Sequence, residues 1–240
     1  MPKFFVEYIN GENHLIIGED AKHIIKSLRM RVGDDIIICD TLGYDYSCKI
    51  YDIGENLVSL KILSRKKCES EPSIKVTLYQ GLPKGEKMDL IVQKSVELGV
   101  FRIVPVMMTR CISMPSSKSL EKKIIRWNKI AESAAKQSGR GIIPSVENMI
   151  KLNEALNFFG KDEKVIFFYE GGGESLGKLV KSSENKISIF IGPEGGFSLE
   201  EVEFLKSIGT ASTLGKRILR TETAPIAALS AIMYVTGNME

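Results

Sequence analysis

The spacing of apolar positions divides this chain into two stretches of different rhythm. Through residue 68 the apolar runs are short, at residues 3–6, 35–39, 47–51 and 57–62, and turn-forming residues separate them. That rhythm predicts strands. Between the first two runs Ala21, Ile24, Ile25 and Leu28 share one helical face, which predicts a helix over residues 20–29. Short strands at this spacing point to a barrel or a curled sheet, an architecture more often used for binding than for catalysis. Residues 65–72 are polar and charged and end in Pro72, the character of a linker. The expected domains are residues 1–70 and 71–240.

Beyond the linker, strand-length runs alternate with helical patterns. Strands are predicted over residues 74–79, 102–107, 165–169 and 187–191, and helices over 87–98, 119–138 and from 175 onward. Such alternation means crossover connections and a parallel sheet, so the second domain is α/β. Its chemistry concentrates in residues 187–228. The strand at 187–191 runs into Gly192-Pro193-Glu194-Gly195-Gly196-Phe197, and Ser198 with Glu201 forms a capping box for the next helix. A second glycine-bearing loop, Gly215 through Thr223, precedes an apolar helix for which Thr223 is the expected cap and Pro225 an acceptable first-turn residue. Both loops are expected to leave neighbouring strands at their carboxyl ends, where open α/β sheets bind ligands, and to line one pocket.

Several chemistries are disfavoured by what this stretch lacks. There is no GxxxxGK[ST], no GxGxxG after the first α/β strand and no GxSxG elbow, and Gly171-Gly172-Gly173 reads as a turn. Cys39, Cys48, Cys68 and Cys111 form no CxxC pair and only two histidines accompany them, which argues against a metal site. What remains is a site of backbone amides and carbonyls, suited to an adenine edge and apolar contacts. No window reaches the roughly 20 apolar residues of a membrane span, and a cytoplasmic location is expected. The net charge of +3 says little, but its distribution says more. Over residues 110–140 eight Lys or Arg stand against two Glu. Lys122, Lys123, Arg126 and Arg140 lie on or beyond one helix, with Lys84, Lys87 and Arg110 expected in strand-end loops beside it. Either this is a solvated helix face or it is a phosphate-binding surface, and the adjacent pocket favours nucleic acid.

Four segments, at residues 84–100 (KGEKMDLIVQKSVELGV), 126–140 (RWNKIAESAAKQSGR), 191–198 (IGPEGGFS) and 214–224 (LGKRILRTETA), resemble in order the ribosomal RNA small subunit methyltransferase E family of the SPOUT superfamily. Residues 2–5, His23, Arg29 and Gly33-Asp34 resemble that family's PUA-like RNA-binding domain, with Lys3 where the pattern has arginine. The resemblance implies a small PUA-like β-barrel followed by a SPOUT-type α/β parallel sheet with a carboxy-terminal trefoil knot. It implies S-adenosyl-L-methionine as methyl donor, N3 of uridine 1498 of 16S ribosomal RNA as acceptor, a small ribosomal subunit assembled or nearly so as partner, and a homodimer. Cofactor contacts are expected at Tyr169, Glu170 and Gly171, at Ile191, Gly192, Pro193, Glu194, Gly195 and Gly196, and at Leu214, Gly215, Ile218, Leu219, Arg220, Thr221, Thr223 and Ala224. RNA contacts are expected at Lys3, His23, Arg29, Lys84, Arg110, Lys122, Lys123, Arg126 and Arg140, and no metal is expected.

Methyl transfer to a ring nitrogen needs in-line positioning more than covalent catalysis, and N3 must lose its proton. Arg220 and Glu222 are the catalytic candidates. Arg220 either stabilises charge on the uracil oxygens or binds a phosphate or the dimer partner. Glu222 either accepts the proton, orients the ribose or complements the following helix terminus. The rival class is a non-catalytic RNA-binding or ribosome-assembly factor of the same fold.

Overall fold

A computed structural model describes residues 1–9, 11–112, 115–160 and 163–239. They form two compact units, residues 1–71 with 135–143, and residues 72–134 with 144–240.

The first unit is a five-stranded sheet. Its strands are β1 (Lys3–Phe5), β2 (Asn13–Ile17), β3 (Asp35–Cys39), β4 (Tyr44–Ile53) and β5 (Leu57–Lys67), in the order β1-β3-β4-β5-β2. Only β1 and β3 run parallel. Register shifts at Ser47/Cys48 and Ile50/Asp52 are the bulges that bend β4. Ile16, Ile24, Ile36, Ile38, Ile50, Val58 and Leu60 are buried together on the inner face. The expected helix over residues 20–29 is instead a short α1 (Gly18–Lys22) that widens into a π-helical turn, His23–Ser27, ended by Arg29 at φ 52°. The expected linker is also corrected. Arg65, Lys66 and Lys67 continue β5 opposite Tyr46, Asp45 and Tyr44, because cross-strand partners override a polar composition.

The second unit is an eight-stranded, all-parallel sheet. It comprises β6 (Lys75–Gly81), α2 (Lys87–Glu97), β7 (Arg102–Met107), α3 (Ser117–Gln137, whose last turn belongs to the first unit), β8 (Ser145–Val146), β9 (Ile150–Lys151), β10 (Lys164–Phe168), β11 (Glu174–Ser175), α4 (Leu176–Leu179), β12 (Lys186–Ile191), α5 (Leu199–Ile208), β13 (Thr210–Thr213) and α6 (Thr223–Val235). The order is β11-β13-β10-β12-β6-β7-β8, with β9 also on β7. Strands covered on both faces read as near-continuous apolar runs, as Ile187–Ile191 does with Ser188 as its one polar residue. Tyr79 of β6 stacks on Phe190 of β12 with ring centroids 4.4 Å apart. α5 carries the expected capping box, Glu201 N donating to Ser198 Oγ and Ser198 N to Glu201 Oε2. Glu201 Oε1 meanwhile accepts the Thr109 amide at 2.7 Å, fastening α5 to the loop after β7. Two details differ from expectation. Glu222, not Thr223, precedes α6, with no side-chain cap. β12 and β13 are not neighbours, since β10 lies between them and pairs with both. No described helix is long and apolar enough to cross a membrane.

Candidate functional site

A cavity of about 390 Å³ opens where β10, β12 and β13 end, at the carboxyl edge of the sheet. Three stretches of chain build its wall. Phe168, Tyr169 and Glu170 follow β10, Ile191 through Glu194 with Gly196 and Phe197 follow β12, and Thr213 through Thr221 follow β13. Lys87 of α2 and Ala224 of α6 complete the lining.

The loop after β12 is held from both ends. Phe197 is buried and meets the Phe167 ring edge-on with centroids 6.1 Å apart, which anchors the loop in the core. Gly196 N donates to Pro193 O to close a tight turn. Gly196 has φ 67°, a left-handed backbone conformation that favours glycine. Outside the cavity Arg110 Nη1 donates to Gly195 O at 2.9 Å.

The return segment after β13 is fixed by Thr221, which is 6% exposed. Its hydroxyl donates to Gly192 O at 2.9 Å and accepts from Gln80 Nε2 at 3.1 Å. One side chain therefore joins the end of β6, the loop after β12 and the return segment. Beside it Lys87 Nζ lies 3.0 Å from Glu194 Oε1 and 3.3 Å from Glu222 Oε2. The hydrogen bond to Glu194 raises the Lys87 pKa, and Glu222 adds to it, so the ammonium stays charged. Burial alone would raise the Glu194 carboxyl, but Lys87 and the Lys84 amide outweigh it and hold that group below the usual range.

Most of the expected cofactor contacts converge here, with exceptions. Gly171, Gly195 and Thr223 are not part of the cavity lining. A Cβ on Gly195 would meet Arg110 instead. Of the catalytic candidates, Arg220 lines the cavity with its side chain 84% exposed. Glu222 does not line it, because its carboxylate turns to Lys87 and its Oε2 is occluded. Lys87, Phe168, Phe197, Thr213, Lys216 and Arg217 also line the cavity, and sequence reasoning did not single them out for it.

The expected RNA contacts separate into committed and open cations. Lys3 is turned inward onto Asp45 at 2.7 Å and Gly139 O at 3.1 Å, its side chain 9% exposed. Arg140 is buried and joined to Glu71 by two hydrogen bonds of 2.8 Å, while Glu71 Oε1 also accepts the Gly141 and Ile142 amides. Both side chains are turned to partners within the protein rather than left open to solvent. Arg126 pairs with Asp89 and Glu86, and Arg110 is spent on Gly195 O. Arg29, Lys84 and Lys122 are exposed, Lys123 is half-buried, and His23 is exposed with its ring edge toward Phe4. Lys87 opens α2, in line with the helix expected over residues 87–98 and not in a strand-end loop.

Comparison with known proteins places this geometry. Residues 69–233 match the family model of an RNA methyltransferase domain, and residues 16–63 that of an RNA methyltransferase PUA domain. Ribosomal RNA small subunit methyltransferase E of Bacillus subtilis is 36% identical, covering 98% of this chain and 97% of its own. The protein of that name from Aquifex aeolicus is 33% identical over 97% of this chain and 99% of its own. A crystal structure of the Neisseria gonorrhoeae ribosomal RNA small subunit methyltransferase E bound to S-adenosyl methionine superposes with a TM-score of 0.87 at 31% identity, covering 98% of both chains. From both unit folds and from full-length relatives at this identity, the chain belongs to the ribosomal RNA small subunit methyltransferase E family.

Proposed function

We propose that this protein transfers a methyl group from S-adenosylmethionine to N3 of uridine 1498 in 16S ribosomal RNA. The observation that carries the reading is the cavity itself, built on strand-end loops of a parallel sheet and within the ~300–1,000 Å³ typical of small-ligand sites. Its donor set fits the cofactor. The peptide groups of Gly192 through Gly196 and of Leu214 through Leu219 can serve an adenine edge, and Ile191, Phe168, Leu214 and Leu219 its faces. When bound, the cofactor supplies a methyl group activated on a sulfonium.

The chain's own groups have three tasks: to align the acceptor, to keep the loops in register and to ease loss of the N3 proton. Arg220, at the cavity wall with an exposed guanidinium, is placed to stabilise negative charge on the uracil oxygens. Lowering the cost of the N3 anion lets water take the proton. Glu222, committed to Lys87, supports that arrangement rather than accepting the proton.

The amino-terminal unit and the open cations Arg29, Lys84, Lys122 and Lys123 engage RNA in a small subunit assembled or nearly so, in the cytoplasm. A trefoil knot is supported by Thr221, which brings the segment after β13 back across Gly192 and Gln80. A homodimer is supported by the exposed apolar Leu199, Ile218 and Tyr234. Calorimetry tests the assignment: S-adenosylmethionine and S-adenosylhomocysteine should each bind at one site per chain. Absence of heat with both would leave a non-catalytic RNA-binding or assembly factor.

A further inference from the structure

The two loops that make most of the cavity wall have no ladder between them, because β10 separates the strands from which they spring. Lys87 supplies a cross-link. Its ammonium stands between the carboxylate of Glu194, from the loop after β12, and that of Glu222, at the end of the return segment. The three side chains are 29%, 17% and 16% exposed, so water only partly screens them. Glu194 Oε1 also accepts the Lys84 amide at 3.2 Å, and Glu222 Oε1 lies 4.0 Å from Arg220 Nη1. The network thus runs from the start of α2 to Arg220, whose exposed guanidinium lines the cavity. Glu194 Oε2 and Glu222 Oε2 are occluded and accept no hydrogen bond among the described residues. The pair of carboxylates therefore depends on this ammonium for its balance of charge, and without it two like charges would face each other across the loops.

We propose that Lys87 is a positioning residue that registers the two cofactor loops through Glu194 and Glu222 and thereby aims Arg220. It does so without touching the reacting atoms. The inference rests on the cofactor reading above and goes beyond it by assigning a task to a residue outside both loops. A merely structural ion pair on a protein surface contributes little. This one is distinguished by joining two segments whose relative position defines the cavity. The second tie between them, Thr221 to Gly192 O and Gln80, does not involve Lys87, so a Lys87 variant loses the ionic tie at Glu194 and Glu222 while this one remains.

The test compares wild type, Lys87→Met, Lys87→Arg, Glu222→Gln and the Lys87→Met/Glu222→Gln double variant. S-adenosylmethionine affinity is read by calorimetry, and kcat and both KM values by methyl transfer to 16S RNA. Lys87→Met should weaken cofactor binding on the order of tenfold, the scale of a small misplacement of binding groups, and lower kcat with little change in the KM for RNA. Lys87→Arg, whose fork spans two carboxylates, should recover most of both. The double variant should be no worse than Lys87→Met, because both changes break the same bridge. Should Lys87→Met fail to fold, the near-isosteric Glu222→Gln carries the test and should show the same loss with the same split. Wild-type cofactor affinity and kcat in folded Lys87→Met, losses that simply add, or an equal loss in Lys87→Arg would overturn the proposal. A wild-type protein that binds no S-adenosylmethionine would overturn the cofactor reading itself, a result distinct from any of these.

Discussion

Replacing Thr221 by valine keeps the shape of the side chain and removes the hydroxyl that joins three segments. Gly192 O loses its donor at 2.9 Å, and Gln80 Nε2 loses an acceptor at 3.1 Å but retains Gly81 O at 3.0 Å. One part-buried carbonyl is thus left without this partner, at a cost of about 2 kcal/mol, within the range for a polar group left unsatisfied. A cavity term is absent because the volume is kept. With a urea m-value of about 2.5 kcal/mol per molar, the midpoint should fall by about 0.8 M. The chain's single tryptophan, Trp127, is buried in the same unit and reports the transition by fluorescence. Thr221→Ser should regain most of the loss, since it restores the hydroxyl. A valine midpoint within about 0.2 M of wild type at equal m-value would refute the latch, as would a serine variant as weak as the valine.

Three further outcomes follow from the same geometry. Glu71→Gln should destabilise the protein by about 3 kcal/mol near neutral pH, the low end for breaking a buried ion pair, because the amide still accepts from Gly141 and Ile142. Burial alone would raise the Glu71 carboxyl, but Arg140 and those amides hold it below the usual range. Its contribution is therefore full above the unfolded value of about 4.3 and is lost as pH falls through the lower folded value. Urea unfolding followed by circular dichroism should show that acid decline in wild type and a flatter curve in Glu71→Gln. Gly215→Val, at φ 100° with open space where its Cβ would stand, should cost cofactor affinity at least about tenfold, and unchanged calorimetric affinity in the folded variant would remove Gly215 from the site. Lys122→Glu with Lys123→Glu should weaken RNA binding and reduce its salt slope by roughly two ions in a filter-binding titration, leaving cofactor affinity alone.

The parallel sheet was legible because its strands are apolar on both faces and its helices are marked by caps and terminal glycines. β7 and the α5 capping box follow from sequence alone for that reason. β2 was not legible, since Asn13–Ile17 alternates too weakly and gains its place by pairing with β5. Residues 135–143 belong to the first unit through Arg140 and Glu71, a long-range pairing that no local pattern encodes. At the candidate site, glycine loops announced the cavity wall, but the direction of side chains did not follow from composition. Glu222 faces Lys87 rather than the cavity, and Arg110 is committed to Gly195 O. Gln80 gave only the faint signal of a polar residue ending an apolar strand. A basic helix reads the same whether its charges are open, as at Lys122, or paired, as at Arg126.

The central claim is that the cavity delivers a methyl group to one base of ribosomal RNA. Small subunits from a strain lacking this gene, incubated with the protein and methyl-labelled S-adenosylmethionine, can be mapped by mass spectrometry of 16S RNA fragments and nucleosides. The account predicts one label per 16S molecule, as 3-methyluridine at position 1498, and no label without the protein. A protein that binds the cofactor yet leaves the RNA unlabelled, or that labels a different atom or nucleotide, would contradict it.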